Sequence, residues 1–587
     1  MADQVNVGWL ACDKDGCIGV RLDASDKCLA DAGDAEQAAE LHRVAQTGKI
    51  DARGVTISSA LLKAILDSTP CDPAGHAMPA DAQFDRATFL GEAKFDEVIF
   101  QGKARFDRAT FLGNARFNGA TFRNAWFYGA IFQRDALFSE AVFRHAGFRW
   151  ARFEGSALFN SATFQRDAGF GEAIFHNARF NSATFQGDAR FNEVTFKGDT
   201  LFNGTTFEGE ARFSEATFEQ AQQFGPLLAQ RGLNLDGVHF TRPVRIEAST
   251  IRMCCRRAQF LGGVQFRLRW ARVVLDDTDI QAPSLLTGLP GLTGLPGLTS
   301  EKLALAEQRI ARACKDQIAK DQEKGHAGHR PGQPRLLSLR RANVAGLGLT
   351  DVDLADCRFA GAHNLDKLRL EADIAFSFSA TPMGWERRQV IAEECAWRAG
   401  KPRPGRWADA WWPDRADPWW PKDLEKPEEL TPGAIAGLYR ALRKSREDIK
   451  DEPGAADFYY GEMEMRRHAR EQTSHQDSGS RGRVDRSVLT AYWLVSGYSL
   501  RAWRALAWLA GITVAFALAF HLVGFIHPPK PATYWTSLLY AFRSTISITD
   551  NEVTLTAWGQ LLQALLRLTG PVLLGLALLA LRGRVKR

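Results

Sequence analysis

Cys12, Cys17 and Cys28 fall within seventeen positions near the start of the chain, and Asp31 stands three beyond the last of them. Three thiolates and a fourth ligand in a short loop could bind zinc, with Gly16 and Gly19 giving the loop room to turn. A metal there would fold a segment that has no apolar core of its own. The other reading of the same residues is free structural cysteines. No nucleophile–base pair, phosphate-binding loop or metal-hydrolase motif stands elsewhere, so the sequence predicts no enzyme.

The elements that must position any such group are set by a repeat. From Phe84 to Phe224 a phenylalanine returns every five or six residues, twenty-seven times in all. Two positions before nearly every one stands an alanine, as at Ala87, Ala104, Ala109 and Ala183, or a substitute such as Val98, Val194, Thr200 or Thr205. A five-residue step matches neither a helix nor a half-buried strand, so the backbone must turn a corner at every unit. With one unit per side of a square coil, the aromatic and the small residue both point to the axis, and four units close a turn. Stacking at roughly 4.8 Å predicts nearly seven turns for the twenty-seven phenylalanines, a rod about 32 Å long. Gly91-Glu92, Gly187-Asp188 and Gly209-Glu210 mark six-residue steps whose corners are expected to bulge. Isolated histidines such as His145 and His176 fall on corner positions and are expected to face solvent.

Units such as Phe180-Asn-Ser-Ala-Thr-Phe185 and Phe106-Asp-Arg-Ala-Thr-Phe111 resemble the phenylalanine-rich pentapeptide repeats. The resemblance implies a mainly β fold, a right-handed quadrilateral β-helix, here joined to α-helical caps and linkers. It implies little about function, because these solenoids serve unrelated roles. Some members mimic DNA and protect topoisomerase, but a duplex mimic needs a strongly acidic surface. Acidic and basic residues nearly balance between Phe84 and Phe224, so no nucleic-acid partner is expected. The cysteine-bearing opening also resembles a head seen before such repeats, in which histidine stands at the place of Asp31.

The 587 residues suffice for several domains, and a net charge of +6 is small for that length. Nine cysteines are too few for a disulfide scaffold and suit a reducing interior. The first thirty residues hold no apolar run, which predicts no signal peptide. Residues 1–80 read as the cysteine head with two cap helices, Glu36 to Thr47 and Ser58 to Leu66, the second capped by Ser58 or Ser59. The β-helix should occupy 81–283, give way to a projecting insertion over 284–334 with a charged helix from Glu301 to about Lys324, and resume over 335–371. There the centres become aliphatic: Leu339, Val344, Leu349, Leu354 and Phe359. Residues 372–431 form a Trp/Pro-rich linker whose Trp385, Trp397, Trp407, Trp411, Trp412, Trp419 and Trp420 must pack on the solenoid or at a membrane interface. Residues 432–480 read as a helical hairpin turning near Pro453-Gly454, its faces lined by Ile435, Leu438, Tyr439, Leu442 and Ile449, and by Ala456, Tyr459, Tyr460 and Met463.

Two apolar runs close the chain within 487–587: Ala505 to Ile526, and Leu561 to Leu581, each long enough for roughly 30 Å of hydrocarbon. Arg481, Arg483, Arg486, Arg501 and Arg504 precede the first, and Arg582, Arg584, Lys586 and Arg587 follow the second. The positive-inside rule therefore predicts a two-span cell-membrane protein with both termini cytoplasmic. Between the runs, Thr533 to Thr545 has helical spacing and leads into Thr545-Ile546-Ser547-Ile548-Thr549-Asp550. This order resembles the two-helix pore module of potassium-type channels, and the resemblance places those six residues at the selectivity filter, implies a homotetramer, and puts a hinge at Gly570-Pro571. Ser547 and Thr549 replace the filter glycines, which argues against ordinary potassium selectivity. Arg543 and Arg567 add positive charge near such a path, with Asp550 or Glu552 as possible counter-ions. Two functions stay open: a membrane-tethered scaffold for an unknown cytoplasmic protein, and a gated channel.

Overall fold

The computed structural model describes residues 7–290, 305, 307–314, 330, 332–371, 374–379, 387–400, 430–476, 480–526, 533–546 and 553–585, with backbone only for 471–476, 480–486 and 581–585. Two compact units emerge, the first reaching Ser377 and the second beginning at Phe378 and taking in the C-terminal helices.

The first unit is a parallel β-solenoid of about twelve turns. Successive rungs pair in register, phenylalanine on phenylalanine: Thr110 with Ile131 and Phe111 with Phe132, then Ile131 with Arg152 and Phe132 with Phe153. Phenylalanines separated by one turn therefore superpose in four files, one of them running Phe84, Phe106, Phe127, Phe148, Phe170, Phe191 and Phe213. Stacked rings in this file lie 4.7–5.1 Å apart with planes within 13°. Files on opposite sides of the coil meet edge to face, as Phe127 meets Phe138 at 5.6 Å and 83°. Both arrangements suit the ring quadrupole. The backbone repeat holds stacked rings near 4.8 Å, and alanines such as Ala109, Ala130 and Ala151 fill the axis between files without solvent exposure.

Corners are built in two ways, and the bulge expected at the six-residue steps is seen where such a step faces a five-residue one: the register shifts between Phe153 and Ser156, around Gly155, and between Phe100 and Lys103, around Gly102. Every second phenylalanine opens a tight turn: Ala87, Ala109 and Ala130 donate N–H to the carbonyls of Phe84, Phe106 and Phe127 at 3.0–3.1 Å. The third residue of each turn takes a left-handed backbone, a place held here mostly by non-glycines such as Arg86, Arg108, Trp150 and Glu172. At the six-residue steps Gly187 and Gly155 have ordinary φ; what demands glycine is closeness, because a Cβ would collide with the backbone of the rung below at Arg166 and Arg134.

The solenoid starts earlier than expected. Lys49–Asp51 pairs with Asp81–Gln83 and Thr56–Ile57 with Thr88–Phe89, so the head supplies part of the first rung. Its helices are Asp34–Thr47 and Ser59–Asp67, the second capped by Ser58, whose hydroxyl accepts the Leu61 N–H at 3.1 Å. After the insertion the chain re-enters in register, Leu336 beside Val273 and Leu349 beside Leu286, and the aliphatic centres from Leu339 to Phe359 are fully buried. Pairing ends at Leu370 apart from isolated bridges. The described part of the insertion does not project: residues 307–314 are helical and bury Ile310 and Cys314 against Leu228, Ile251, Trp270 and Leu289.

The second unit is helical. Pro432–Asp448 and Glu452–Gln476 form the hairpin, turning at 449–451, with Pro453 inside the first turn of the second helix. Its inner face differs from the expected one by a residue: Ala455, Phe458, Glu462 and Met465 are buried, Tyr459 and Met463 only half-buried, and Ile449 exposed. Carboxylates line that face because arginines neutralise them, Glu462 meeting Arg440 at 3.0 Å and Arg443 at 2.8 Å. The Trp397 ring lies 5.1 Å from that of His468 of the hairpin, tilted by 50°; the other six tryptophans of its stretch lie outside the described residues. Beyond the hairpin, Ser480–Ser496 precedes a helix Ala502–Ala519 that continues as a wider π-type turn, Phe520–Gly524. Tyr534–Thr545 and Ala557–Val585 follow.

Candidate functional site

The cysteine head places all four predicted ligands together. Antiparallel bridges Ala11–Val20 and Arg21–Cys28 fold residues 11–28 into two short hairpins, and Asp31 lies where the chain turns toward the first helix. The ligand atoms of Cys12, Cys17, Cys28 and Asp31 all lie within 4.8 Å of one another. Cys17 Sγ and Cys28 Sγ are 3.8 Å apart; Asp31 Oδ2 accepts from the Cys28 thiol at 3.3 Å and from Cys12 at 3.8 Å. Lys14 Nζ holds the other oxygen, Oδ1, at 2.5 Å and keeps the Asp31 carboxyl below the usual carboxylate range. Burial pushes the Cys28 thiol up to about 12 and raises Cys17. Burial acts on Cys12 as well, but the backbone N–H groups of Lys14 and Cys28 bring it below the ordinary thiol value.

A second feature lies on the solenoid wall. Just after the inward alanine, one outward-facing position reads Arg105, Trp126, Gly147, Gly169, Arg190 and Arg212 on successive rungs. Two glycines in a column of long side chains leave a notch walled by Trp126, Tyr128, Arg149 and Arg190, with His145 on its rim. The Tyr128 ring covers Gly147, whereas Gly169 faces open space, with nothing within 4 Å of where a Cβ would stand. Charge around it is paired: Arg149 bonds Glu172 at 2.5 Å and lies over the Trp150 ring, and Arg190 meets Asp167 at 2.9 Å. The signal was readable as a run of Ala-Gly units, Ala146-Gly147 and Ala168-Gly169, where neighbouring turns carry Ala-Trp or Ala-Arg.

The C-terminal candidates are partly brought together. Tyr534–Thr545 packs between the two long helices through Ala517, Phe520, Tyr540, Ala541 and Leu566. Gln563 donates to the Tyr540 hydroxyl at 2.7 Å. Gly570 passes so close to the end of the short helix that a Cβ would lie 2.6 Å from the Thr545 carbonyl oxygen. Thr545 is buried with its hydroxyl bonded to Ala541 O at 2.8 Å, and Ile546 is exposed. Arg543 is exposed, and Arg567 is half-buried, its Nε shielded from solvent without a hydrogen-bond partner. Ser547, Ile548, Thr549, Asp550 and Glu552 lie outside the described residues. The stretches Ala502–Gly524 and Ala557–Ala580 are long and apolar enough to cross a bilayer, and both are mostly exposed.

Residues 95–142, 138–184 and 180–222 match the family model described as pentapeptide repeats (9 copies). No curated protein and no solved structure matches the chain.

Proposed function

With residues 95–222 a pentapeptide-repeat solenoid as the premise, we propose that the protein is a membrane-anchored, non-enzymatic scaffold whose solenoid receives a cytoplasmic protein partner at the Gly147/Gly169 notch. The observation that carries this reading is the notch: two adjacent rungs carry glycine in a column of long side chains, Gly147 roofed by the Tyr128 ring and Gly169 open beside it. Concave, partly aromatic surface of that kind suits an inserted side chain or loop. Anchoring is supported by the exposed faces of the two apolar helices, where Leu506, Val514, Leu518, Leu522, Leu568 and Val572 would otherwise meet water. The flanking arginines support a reading with both termini cytoplasmic, by the positive-inside rule. Gly169→Arg tests the scaffold: it fills the notch without touching the core, so folding should be unchanged while crosslinking to the partner in intact cells is lost. Undiminished crosslinking would overturn the assignment of this surface.

A second reading, a gated channel of two-helix pore type assembled as a homotetramer, is favoured by one observation. The short helix sits between the two apolar helices, and the Arg567 Nε, shielded without a hydrogen-bond partner, lies on the second of them. Purified protein in planar bilayers should then pass current, and Arg567→Ala should change its size or charge preference; silent bilayers would leave the scaffold alone.

A further inference from the structure

We propose that Cys12, Cys17, Cys28 and Asp31 hold one structural zinc ion, and that this ion pins the N-terminal loop onto the first rung of the solenoid. Geometry carries it. Zinc with Zn–S near 2.3 Å and Zn–O near 2.0 Å sets tetrahedral S···S edges of about 3.8 Å and S···O edges of about 3.5 Å. The cluster shows 3.8 Å between Cys17 Sγ and Cys28 Sγ, and 3.3 and 3.8 Å from Asp31 Oδ2 to Cys28 Sγ and Cys12 Sγ. A disulfide would need its sulfurs at about 2.05 Å, so the arrangement spaces them for an ion between them and not for a bond.

Surrounding groups fit the same occupant. Lys14 occupies Oδ1 of Asp31, which leaves Oδ2 as a single oxygen donor and offsets part of the negative charge of the ligand set. The Gly19 N–H points at Cys17 Sγ from two residues on, at 3.4 Å, a donor that stabilises a thiolate. Sulfur donors select against magnesium and calcium, and a closed set of four donors is the set that structural zinc takes.

The fold gives the ion a task. Within residues 7–33 the buried apolar side chains other than Cys12 and Cys28 are Val20 and Leu29, too little to order a loop of that length. Yet the loop is docked: Val20 N–H bonds the Arg53 carbonyl at 2.7 Å, and Ile18 O packs so tightly on Gly54 that a Cβ there would collide. Arg53 and Gly54 belong to the corner between the first two strands of the solenoid. Metal binding thus closes the loop over that end of the phenylalanine column.

The full-length chain, purified in detergent under reducing conditions, should contain about one zinc per chain. Cobalt(II) titrated into the zinc-stripped protein should give a thiolate-to-cobalt charge-transfer band with intense tetrahedral d–d bands. Cys17→Ser, Cys28→Ser and Asp31→Ala should each weaken zinc about tenfold or more, whereas Cys71→Ser, an exposed cysteine outside the cluster, should not. Chelation should expose residues 7–33 to protease while the solenoid stays resistant. Absence of both zinc and a cobalt–thiolate signal from the unmutated chain overturns the site, as does full zinc retention in Cys17→Ser and Cys28→Ser. A loop equally resistant with and without chelator overturns the clamp.

Discussion

Phe148 has no solvent exposure and lies 4.9 Å from Phe127 and 5.0 Å from Phe170, so removing its ring leaves a void that neither rung can close. Phe148→Ala should cost about 3–5 kcal/mol of solenoid stability in denaturant titration. Phe148→Leu should cost clearly less, because it keeps most of the volume. A different residue-scale device stabilises the helical unit. Glu394 is fully buried and holds Arg388 at 2.6 Å, Arg398 at 2.7 Å and the Tyr439 hydroxyl at 2.5 Å. Burial alone would raise its pKa, but the arginines keep it below the ordinary value of 4.5. A carboxylate lowered in the folded state contributes stability above its unfolded pKa and loses it as pH falls through the folded one. The helical unit should therefore weaken progressively below about pH 4.5, and Glu394→Gln should flatten that slope. The same variant should cost about 3–5 kcal/mol at neutral pH, since Arg388 is left buried and uncompensated. Phe148 was legible in the sequence because its spacing repeats; Glu394 was not, because nothing local reveals which distant arginine a carboxylate will meet.

Elements were legible to the extent that one period governs them. The five-residue step gave the solenoid, its inward residues and its resumption from Leu339 to Phe359, all of which are buried. It hid the first rung, Lys49–Asp51, where no phenylalanine marks the side, and the left-handed corners, where arginine, glutamate and tryptophan stand in place of glycine. The hairpin face slipped by one residue because ion-paired Glu462 and Glu464 break the apolar pattern that locates a buried stripe. Glycine at the six-residue steps was read as freedom to bulge, and the ladder does shift register around Gly155 and Gly102, but the requirement for glycine there comes from the rung beneath. Gly187→Ala should consequently destabilise the solenoid by several times the ~0.5–1 kcal/mol that a glycine–alanine exchange is worth elsewhere in a chain, or open the ladder locally. Hydrogen exchange at Asp188 and Ala189 would register either outcome.

At the scale of the whole molecule, each rung touches only its neighbours, so the solenoid is nearly one-dimensional and its energetics sum along the axis. The candidate sites were legible unevenly. The cysteine loop announced itself by residue type and the spans by hydropathy, whereas the notch needed the turn length before Gly147 and Gly169 could be placed side by side. Truncation before Gly497 should release the protein from membranes into the soluble fraction on ultracentrifugation with the solenoid still protease-resistant; a truncated chain that stays with the membrane would point to another anchor. Phe106, Phe127 and Phe148 superpose at intervals of 21 residues, so excising residues 127–147 brings Phe148 onto Phe106 with every file intact. Such a deletion should fold, whereas removing five residues should throw all four files out of line. A chain built this way is a ruler with graduations of about 4.8 Å: its reach can be lengthened or shortened by whole marks through duplication or loss of a turn, leaving both ends untouched.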